Sequence, residues 1–233
     1  MIKILVNQPD RDGLTSLTHA VAAGDVKVVD LMLAPGIIPH QGSLCLAAKL
    51  GHLHVFKILH ERGSDIEELD SEGYTPLMRA ANVGQSGYTI YPLRCVPGHD
   101  HVEIVNYLIK AGAHVNRKVD IPTGLYFQKD RSALDQVCSW LNPPDHLKER
   151  HQIVTSLMKA RLNFDLLNRQ HYLNCMVIIA HEEGIASLLD KGANINEFGY
   201  HGTPLQIAAS FGYGKIVQYL LKRGANPLAR PNE

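Results

Sequence analysis

Apolar residues recur along the chain in a pattern that is typical of short amphipathic helices. The clearest cases are HVEIVNYLIKAG from His101 and GKIVQYLLKRG from Gly214, in which apolar positions fall three or four residues apart. That spacing places the apolar side chains on one face of a helix. Each run ends with a glycine shortly after basic residues, as expected where a left-handed residue ends a helix. The pattern predicts helices that each bury one face against a neighbour.

A shorter helix with its own signature precedes these runs. The segments TPLMRAANVG from Thr75 and TPLQIAASFG from Thr203 begin with Thr-Pro and contain a pair of alanines. A threonine side chain can cap a helix, and proline is favoured at the first helical position because its missing N–H is not needed there. The segment LCLAAKLG from Leu44 shares the leucine and the alanine pair. Gly51 and Gly84 lie 33 residues apart, a spacing that indicates a repeat.

By these residues the chain resembles the ankyrin-repeat family. The resemblance implies an all-α solenoid of stacked helix-turn-helix units with short β-hairpin loops and long insertions in the central repeats. We expect one domain over 1–233, with repeats at approximately 10–36, 37–69, 70–116, 117–165, 166–196 and 197–228. Repeats four and five are degenerate. Arg161 replaces the expected glycine in repeat four, and repeat five lacks both the Thr-Pro start and the glycine between its helices.

Three insertions depart from the family pattern, at 85–100, 117–131 and 142–150. The first and third fall in the loop between the two helices of adjacent repeats, so we expect them to be neighbours. The second extends a hairpin and should project from the other side. Tyr88 and Tyr91 make the first insertion too apolar for a plain linker. Two compatible interpretations remain: the insertions fold back onto the repeats, or they form a recognition surface.

Composition argues against several classes of partner. Lys+Arg and Asp+Glu balance at 23 each, so the chain lacks the positive excess that is usual in nucleic-acid binders. No apolar run reaches 18 residues, and the apolar stretch at the N-terminus is too short for a signal peptide. We therefore expect neither a nucleic-acid nor a membrane partner.

The four cysteines are far apart and form no CxxC pair, which favours a reducing compartment and a cytoplasmic protein. Cys138 follows Asp135 by three residues but occupies a small position that faces the stack, so a buried structural thiol is expected rather than a nucleophile. No phosphate-binding glycine loop is present. The acidic pairs Glu67-Glu68 and Glu182-Glu183 are interpreted as solvated charge. We expect no enzymatic activity and no cofactor.

The one metal-like constellation is Cys95, His99 and His101, which could supply three ligands to zinc. His101, however, stands where the family commonly has histidine, as does His52 in repeat two. Only two residues then remain unexplained, which falls short of a ligand set. Metal binding is therefore disfavoured.

Ankyrin-like proteins bind partners with hairpin tips and the exposed face of the first helices. Carrying these positions over, together with the tyrosines of the first insertion, nominates eight residues for partner binding: Leu50, Glu72, Tyr74, Asn82, Tyr88, Tyr91, Trp140 and Phe211. Leu50, Tyr74, Trp140 and Phe211 are apolar where solvent exposure is expected, and aromatic residues are favoured at interface hot spots. For Trp140 two interpretations remain, an exposed anchor or packing against the 142–150 insertion.

The resemblance implies a monomeric protein-interaction scaffold that binds another protein through its concave face, hairpin tips and central insertions. One alternative is the recognition domain of a larger or secreted effector-type protein whose activity lies elsewhere, which would act in a host cytoplasm. Another is a metal-binding protein that uses residues 85–101. The partner and the organism cannot be inferred, because the repeat signature specifies the stack and leaves the binding positions free.

Overall fold

A computed structural model of the chain describes residues 10–11, 14–33, 37, 39–83, 100–123, 126–138, 146–163, 169–199 and 201–229. Within these ranges the chain has twelve helices, two for each predicted repeat. The first helices are α1 (Ser16–Ala23), α3 (Ser43–Leu50), α5 (Pro76–Ala81), α7 (Ala133–Cys138), α9 (Arg169–Ile178) and α11 (Pro204–Ser210). The second helices are α2 (Val26–Met32), α4 (Leu53–Glu61), α6 (His101–Lys110), α8 (Leu147–Lys159), α10 (Glu182–Asp190) and α12 (Gly214–Lys222). The predicted all-α, helix-turn-helix fold class is confirmed.

The chain divides into two compact units, Met1–Val137 and Cys138–Glu233. In the first unit, α3 packs between the first helices α1 and α5, and α4 packs between the second helices α2 and α6. In the second unit, α9 packs against α10 and α11, and α11 packs against α12. The same stacking of like helices therefore builds the core of each unit, while the expectation of a single domain stays a prediction.

The two Thr-Pro sequences begin helices as predicted. The Thr75 hydroxyl accepts a hydrogen bond from the Met78 amide at 3.2 Å, and Thr203 accepts from the Gln206 amide at the same distance. The Gln206 side chain accepts in return from the Thr203 amide at 3.0 Å, which completes a capping box. Backbone N–H groups without a helical partner are thus satisfied at both starts.

One position near the start of the second helices ties successive repeats together. His52 Nε2 donates to the Ala22 carbonyl at 3.2 Å, and His101 Nε2 donates to the Lys49 carbonyl at 3.1 Å. In the second unit, the Tyr213 hydroxyl stands at this position and donates to a carbonyl of α9 at 3.1 Å. The prediction that His52 and His101 belong to the scaffold agrees with these contacts.

The 117–131 insertion forms an antiparallel hairpin of β1 (Val119–Thr123) and β2 (Tyr126–Arg131). Ile121 is fully buried. Gly73, with φ of +85°, lies beneath the hairpin, and a side chain there would come within 3.2 Å of Pro122 and 3.3 Å of the Asp120 carbonyl. This insertion therefore packs against the preceding hairpin, as one of the two interpretations proposed.

The third insertion is shorter than predicted. Helix α8 begins at Leu147, so the last residues assigned to 142–150 form its first turn. Residues 142–145 of that insertion, and residues 85–99 of the first, lie outside the described residues, so their expected proximity stays a prediction. None of the helices in the described ranges is long and apolar enough to cross a membrane.

The degenerate repeats have the left-handed turns of the family without the usual glycine. Arg161 has φ of +64° and Ala180 has φ of +56°, both in the left-handed region that favours glycine. Ala180 stands between α9 and α10, where Gly212 stands between α11 and α12. These turns therefore have left-handed backbone geometry although no glycine stands in them.

Candidate functional site

The described residues include five of the eight nominated partner-binding residues: Leu50, Glu72, Tyr74, Asn82 and Phe211. Tyr88, Tyr91 and Trp140 lie outside the described residues. Glu72 and Tyr74 lie together in the hairpin that precedes α5, whereas Leu50 and Asn82 lie at the ends of first helices. Phe211 belongs to the second unit, so the structure brings only part of the nominated set together.

Arg79 on α5 organises the surface around Glu72 and Tyr74. Its Nε donates to Asp70 Oδ2 at 2.6 Å, and its Nη2 lies 2.9 Å from Glu72 Oε1. The guanidinium carbon lies 3.9 Å from the centre of the Tyr74 ring, within the range of a cation–π contact. Lys49 Nζ lies 3.9 Å from the same Glu72 oxygen. We call these five residues the Arg79 cluster.

The members of the cluster differ in burial: Arg79 and Asp70 are nearly buried, and Glu72 and Tyr74 form a more exposed rim. The side chains of Arg79 and Asp70 are 6% and 12% exposed, whereas that of Glu72 is 59% exposed. Tyr74 is half-buried. Asp70, paired with Arg79, also accepts hydrogen bonds from the Glu72 and Tyr74 amides and so holds the backbone of the hairpin, while the Glu72 carboxylate and part of Tyr74 are exposed to solvent.

The charges of the cluster compensate one another. Burial opposes the positive charge of Arg79, but the hydrogen bond and the negative charge of Asp70 outweigh it, so the pKa of the guanidinium is raised. Burial, followed by the nearby Arg79, lowers the pKa of Lys49. Burial also raises the pKa of the Tyr74 hydroxyl. Two cations and two carboxylates meet here, so the surface suits a polar and aromatic contact rather than binding of a bare anion.

The hairpin that carries the cluster is anchored to α3, and this corrects one sequence interpretation. Glu68, taken as solvated charge, accepts hydrogen bonds from the Gly42 and Leu44 amides at 3.0 and 3.2 Å. It caps the start of α3, which has no Thr-Pro sequence. Its neighbour Glu67 pairs with Arg117 Nη1 at 2.6 Å. The solvated assignment was wrong because the stack brings unsatisfied amides and an arginine to these acids.

Two nominated residues are buried within the chain. Leu50 is 6% exposed, which contradicts the expectation that it faces solvent, and Asn82 is 9% exposed. Both stand where a first helix gives way to the loop before the second helix, and Val83 beside Asn82 is also buried. The chain turns inward there, so the apolar side chain of Leu50 joins the core.

Phe211 in the second unit is 39% exposed, as the sequence predicted. Its ring stacks on that of Tyr213, with centroids 5.5 Å apart and planes inclined by 15°. Tyr213 is itself fixed by its hydrogen bond to α9. Phe211 is therefore an exposed aromatic side chain that packs on the fixed ring of Tyr213. It is a candidate contact separate from the Arg79 cluster.

Sequence reasoning missed Arg79, the residue that fixes the candidate surface. The available signal was the pair of acids Asp70 and Glu72, placed before a helix that carries one arginine. Sequence spacing alone does not place residues nine apart in contact across a hairpin, because that contact depends on how the hairpin folds over α5.

The metal candidates are only partly described. His101 is buried and tied to the Lys49 carbonyl, while Cys95 and His99 lie outside the described residues. Across the part of the chain that the structure describes, no three His, Cys, Asp or Glu residues are grouped so that they could hold a metal ion.

Cys138 corrects a second interpretation. It was expected to be a buried free thiol, and it is buried, but it forms a disulfide with Cys175. The two residues are 37 positions apart, and no spacing motif marks them. Cys45 is free and buried, and burial raises the pKa of its thiol well above the ordinary value.

Two family models match this chain where the repeats are most regular. Residues 39–119 match a model of ankyrin repeats in three copies, and residues 178–221 match a model of ankyrin repeats in many copies. The chain belongs to the ankyrin-repeat family. Members of this family are generally protein–protein interaction modules and are typically not enzymes.

The curated proteins that this ankyrin-repeat chain resembles are much longer than it is. It is 29% identical over 187 residues to an L-asparaginase of Dirofilaria immitis, a match that covers 79% of the chain and 26% of that protein. It is 34% identical over 88 residues to alpha-latrotoxin-Lg1a of Latrodectus geometricus, covering 34% of the chain and 6% of the toxin. The chain thus spans about a quarter or less of these relatives.

A solved structure extends the comparison to nearly the whole fold. The ankyrin-repeat domain of human ASB11 superposes with a TM-score of 0.60 at 20% sequence identity, covering 94% of this chain and 87% of that one. At this level of identity the likeness concerns the fold alone, and it agrees with an ankyrin solenoid of helix-turn-helix units.

Proposed function

We propose that the chain is a scaffold that binds a partner protein, and that the rim of the Arg79 cluster is its principal contact in the first unit. The observation that carries this proposal is the fixed presentation of Glu72 and Tyr74 by the nearly buried Arg79. A surface that is already ordered loses little conformational entropy on binding, so its contacts contribute more to affinity. Phe211 is proposed as a second contact, and the insertions as additional ones.

The experiment compares two glutamates in the first unit. Glu72→Gln removes the exposed carboxylate of the cluster, and Glu61→Gln makes the same chemical change at an exposed position at the end of α4. Purified wild type and both variants are immobilised, and proteins retained from a lysate are quantified by mass spectrometry. Melting temperatures establish that all three chains are equally folded.

We expect at least one protein to be retained by the wild type and by Glu61→Gln, and to be retained roughly tenfold less by Glu72→Gln, the loss on breaking one charge-assisted contact. Direct titration of that protein against the three chains then measures the affinities. Equal retention by both variants would exclude the Arg79 cluster as the contact. Retention of no protein by the wild type would contradict the scaffold function itself.

A second candidate is the recognition segment of a longer protein whose activity lies elsewhere. The lengths of the named relatives support it, since the matched parts make up 26% and 6% of those proteins. Peptide mapping of the native gene product tests it: sequence continuing beyond the 233 residues supports this candidate, and a product that ends at both known termini rejects it.

The chain itself is proposed to be a monomer without enzymatic activity that acts in the cytoplasm, or in a host cytoplasm if it is delivered there. A direct assay for ammonia release from asparagine tests the catalytic alternative that the name of one relative raises, and we expect none. Metal analysis of the purified chain tests the remaining alternative, zinc held by residues 85–101.

A further inference from the structure

A disulfide links the first residue of the second unit to a helix deeper in that unit. Cys138 ends α7, Cys175 lies within α9, and their Cα atoms are 5.6 Å apart. Both side chains are buried, at 3% and 0% exposure. The bond closes a loop with a sequence separation of 37 residues, and that loop contains the whole of α8.

The same part of the chain is where the repeat scaffold is poorest. Arg161, after α8, and Ala180, after α9, adopt left-handed conformations without glycine, at a cost of roughly 1–2 kcal/mol each. Helix α9 has no Thr-Pro start. Closing a loop by a covalent bond restricts the unfolded chain and thereby stabilises the folded one. The loop that the disulfide closes, residues 138–175, contains Arg161 and the start of α9, and Ala180 follows just beyond it. The bond therefore constrains a segment that lacks part of the usual repeat signature.

We propose that the Cys138–Cys175 pair is a redox-sensitive switch of the second unit. In the disulfide state α8 and α9 are held in the native stack. In the dithiol state the same helices remain native-like but open more often, because the unfolded segment regains its conformational freedom. The switch is thus set by the thiol–disulfide balance around the protein.

Exchange with glutathione disulfide closes the switch in two balanced steps. The thiolate of one cysteine attacks glutathione disulfide, forms a mixed disulfide and displaces one glutathione thiolate. The thiolate of the other cysteine then attacks the protein sulfur of that mixed disulfide and displaces the second glutathione. Two protein thiols are oxidised and one glutathione disulfide is reduced to two glutathione thiolates, which take up the two protons that the protein thiols lost and become two glutathione molecules. Because both sulfurs are buried, exchange in the folded protein requires local opening of the segment.

The test uses the full chain carrying Cys45→Ala and Cys95→Ala, so that only the pair can react. It is equilibrated with glutathione buffers from fully reduced to fully oxidised, quenched in acid and alkylated. Mass spectrometry then counts the alkylated cysteines. The melting temperature and the hydrogen exchange of peptides from α8 and α9 are measured at each end of the series. The matched control adds Cys138→Ala and Cys175→Ala to the same background.

We expect oxidation to protect both thiols from alkylation and to raise the melting temperature by about 10 °C, with slower hydrogen exchange in α8 and α9. The control should melt at one temperature in both buffers. Thiols that stay fully alkylable in oxidised glutathione would overturn the proposal, and so would a shift below about 2 °C or an equal shift in the control. If the control does not fold, the comparison of the two buffers on the paired chain decides alone.

Discussion

Repeat three in the first unit and repeat five in the second each contain the same pair of helices, but different interactions stabilise the two pairs. In repeat three, α5 begins with Thr-Pro and the hairpin before it holds the ion pair between Arg79 and Asp70. In repeat five, α9 lacks that start and Ala180 occupies the left-handed turn. Neutral hydrogen bonds and a disulfide hold repeat five instead. The fold thus survives the loss of its sequence signature where other interactions take over, and in repeat three the exposed Glu72 belongs to an organised polar cluster.

His181 is the centre of the hydrogen bonds in repeat five. It is 1% exposed, and its Nδ1 accepts from the Gly184 amide at 2.9 Å, which caps α10. Since Nδ1 accepts, Nε2 carries the proton and donates to Thr155 Oγ1 at 3.0 Å. The Thr155 hydroxyl donates in turn to the His151 carbonyl at 2.9 Å. This chain of bonds needs a neutral imidazole, whereas the ion pair of repeat three needs two charges.

The largest effect should come from breaking the ion pair of repeat three. Arg79→Met leaves the Asp70 carboxylate nearly buried without its partner, and removal of one member of such a pair costs about 3–5 kcal/mol of unfolding free energy. Urea unfolding followed by circular dichroism measures the change.

The control for that change is Arg223→Met in the second unit, where Arg223 pairs with Asp190 at 2.6 Å. These side chains are 37% and 65% exposed, so the loss should be far smaller than the loss from Arg79→Met. Equal losses from the two substitutions would remove the contrast between a buried and an exposed pair on which the description of the Arg79 cluster depends.

A somewhat smaller effect should follow from protonating His181. Burial, followed by the neighbouring His151, lowers the pKa of His181 from 6.5 to about 4. Between these values the unfolded chain binds a proton at this residue and the native chain does not, so stability is lost as the pH falls through this window. By pH 4 the loss from this group approaches about 3 kcal/mol.

The measurement is the unfolding free energy of the second unit from pH 7 to pH 4, resolved by hydrogen exchange. His181→Asn keeps a residue that can cap α10 and removes the titrating group, so the slope attributed to His181 should disappear. His201→Asn, at an exposed position of the same unit, should retain that slope because His181 is still in place. A slope that persists in His181→Asn would assign the pH dependence to other groups.

The contrast between the repeats also explains what the sequence could predict. Helix spacing, the Thr-Pro caps at Thr75 and Thr203, and the missing glycines of repeats four and five follow from rules that connect residues a few positions apart. The burial of Leu50 and the contacts of Arg79 depend on how a loop or hairpin folds over a neighbouring helix. The pairing of Cys138 with Cys175 depends on the packing of helices that are distant in sequence, for which local spacing gives no signal.

The smallest effect should come from the left-handed turns. It tests whether Ala180 in repeat five costs folding free energy that the glycine in repeat six does not. Ala180→Gly should stabilise the second unit by about 1 kcal/mol, because Ala180 has φ of +56° and glycine adopts this conformation without a side-chain clash. The matched change is Gly212→Ala, at φ of +72° in the equivalent turn of repeat six, where an added side chain would meet nothing within 4 Å. It should destabilise the unit by a similar amount through the backbone alone. Thermal unfolding of the two variants measures both shifts. Opposite shifts of like size locate the cost in the turn itself, whereas no gain from Ala180→Gly would mean that contacts of the alanine methyl group offset the backbone cost.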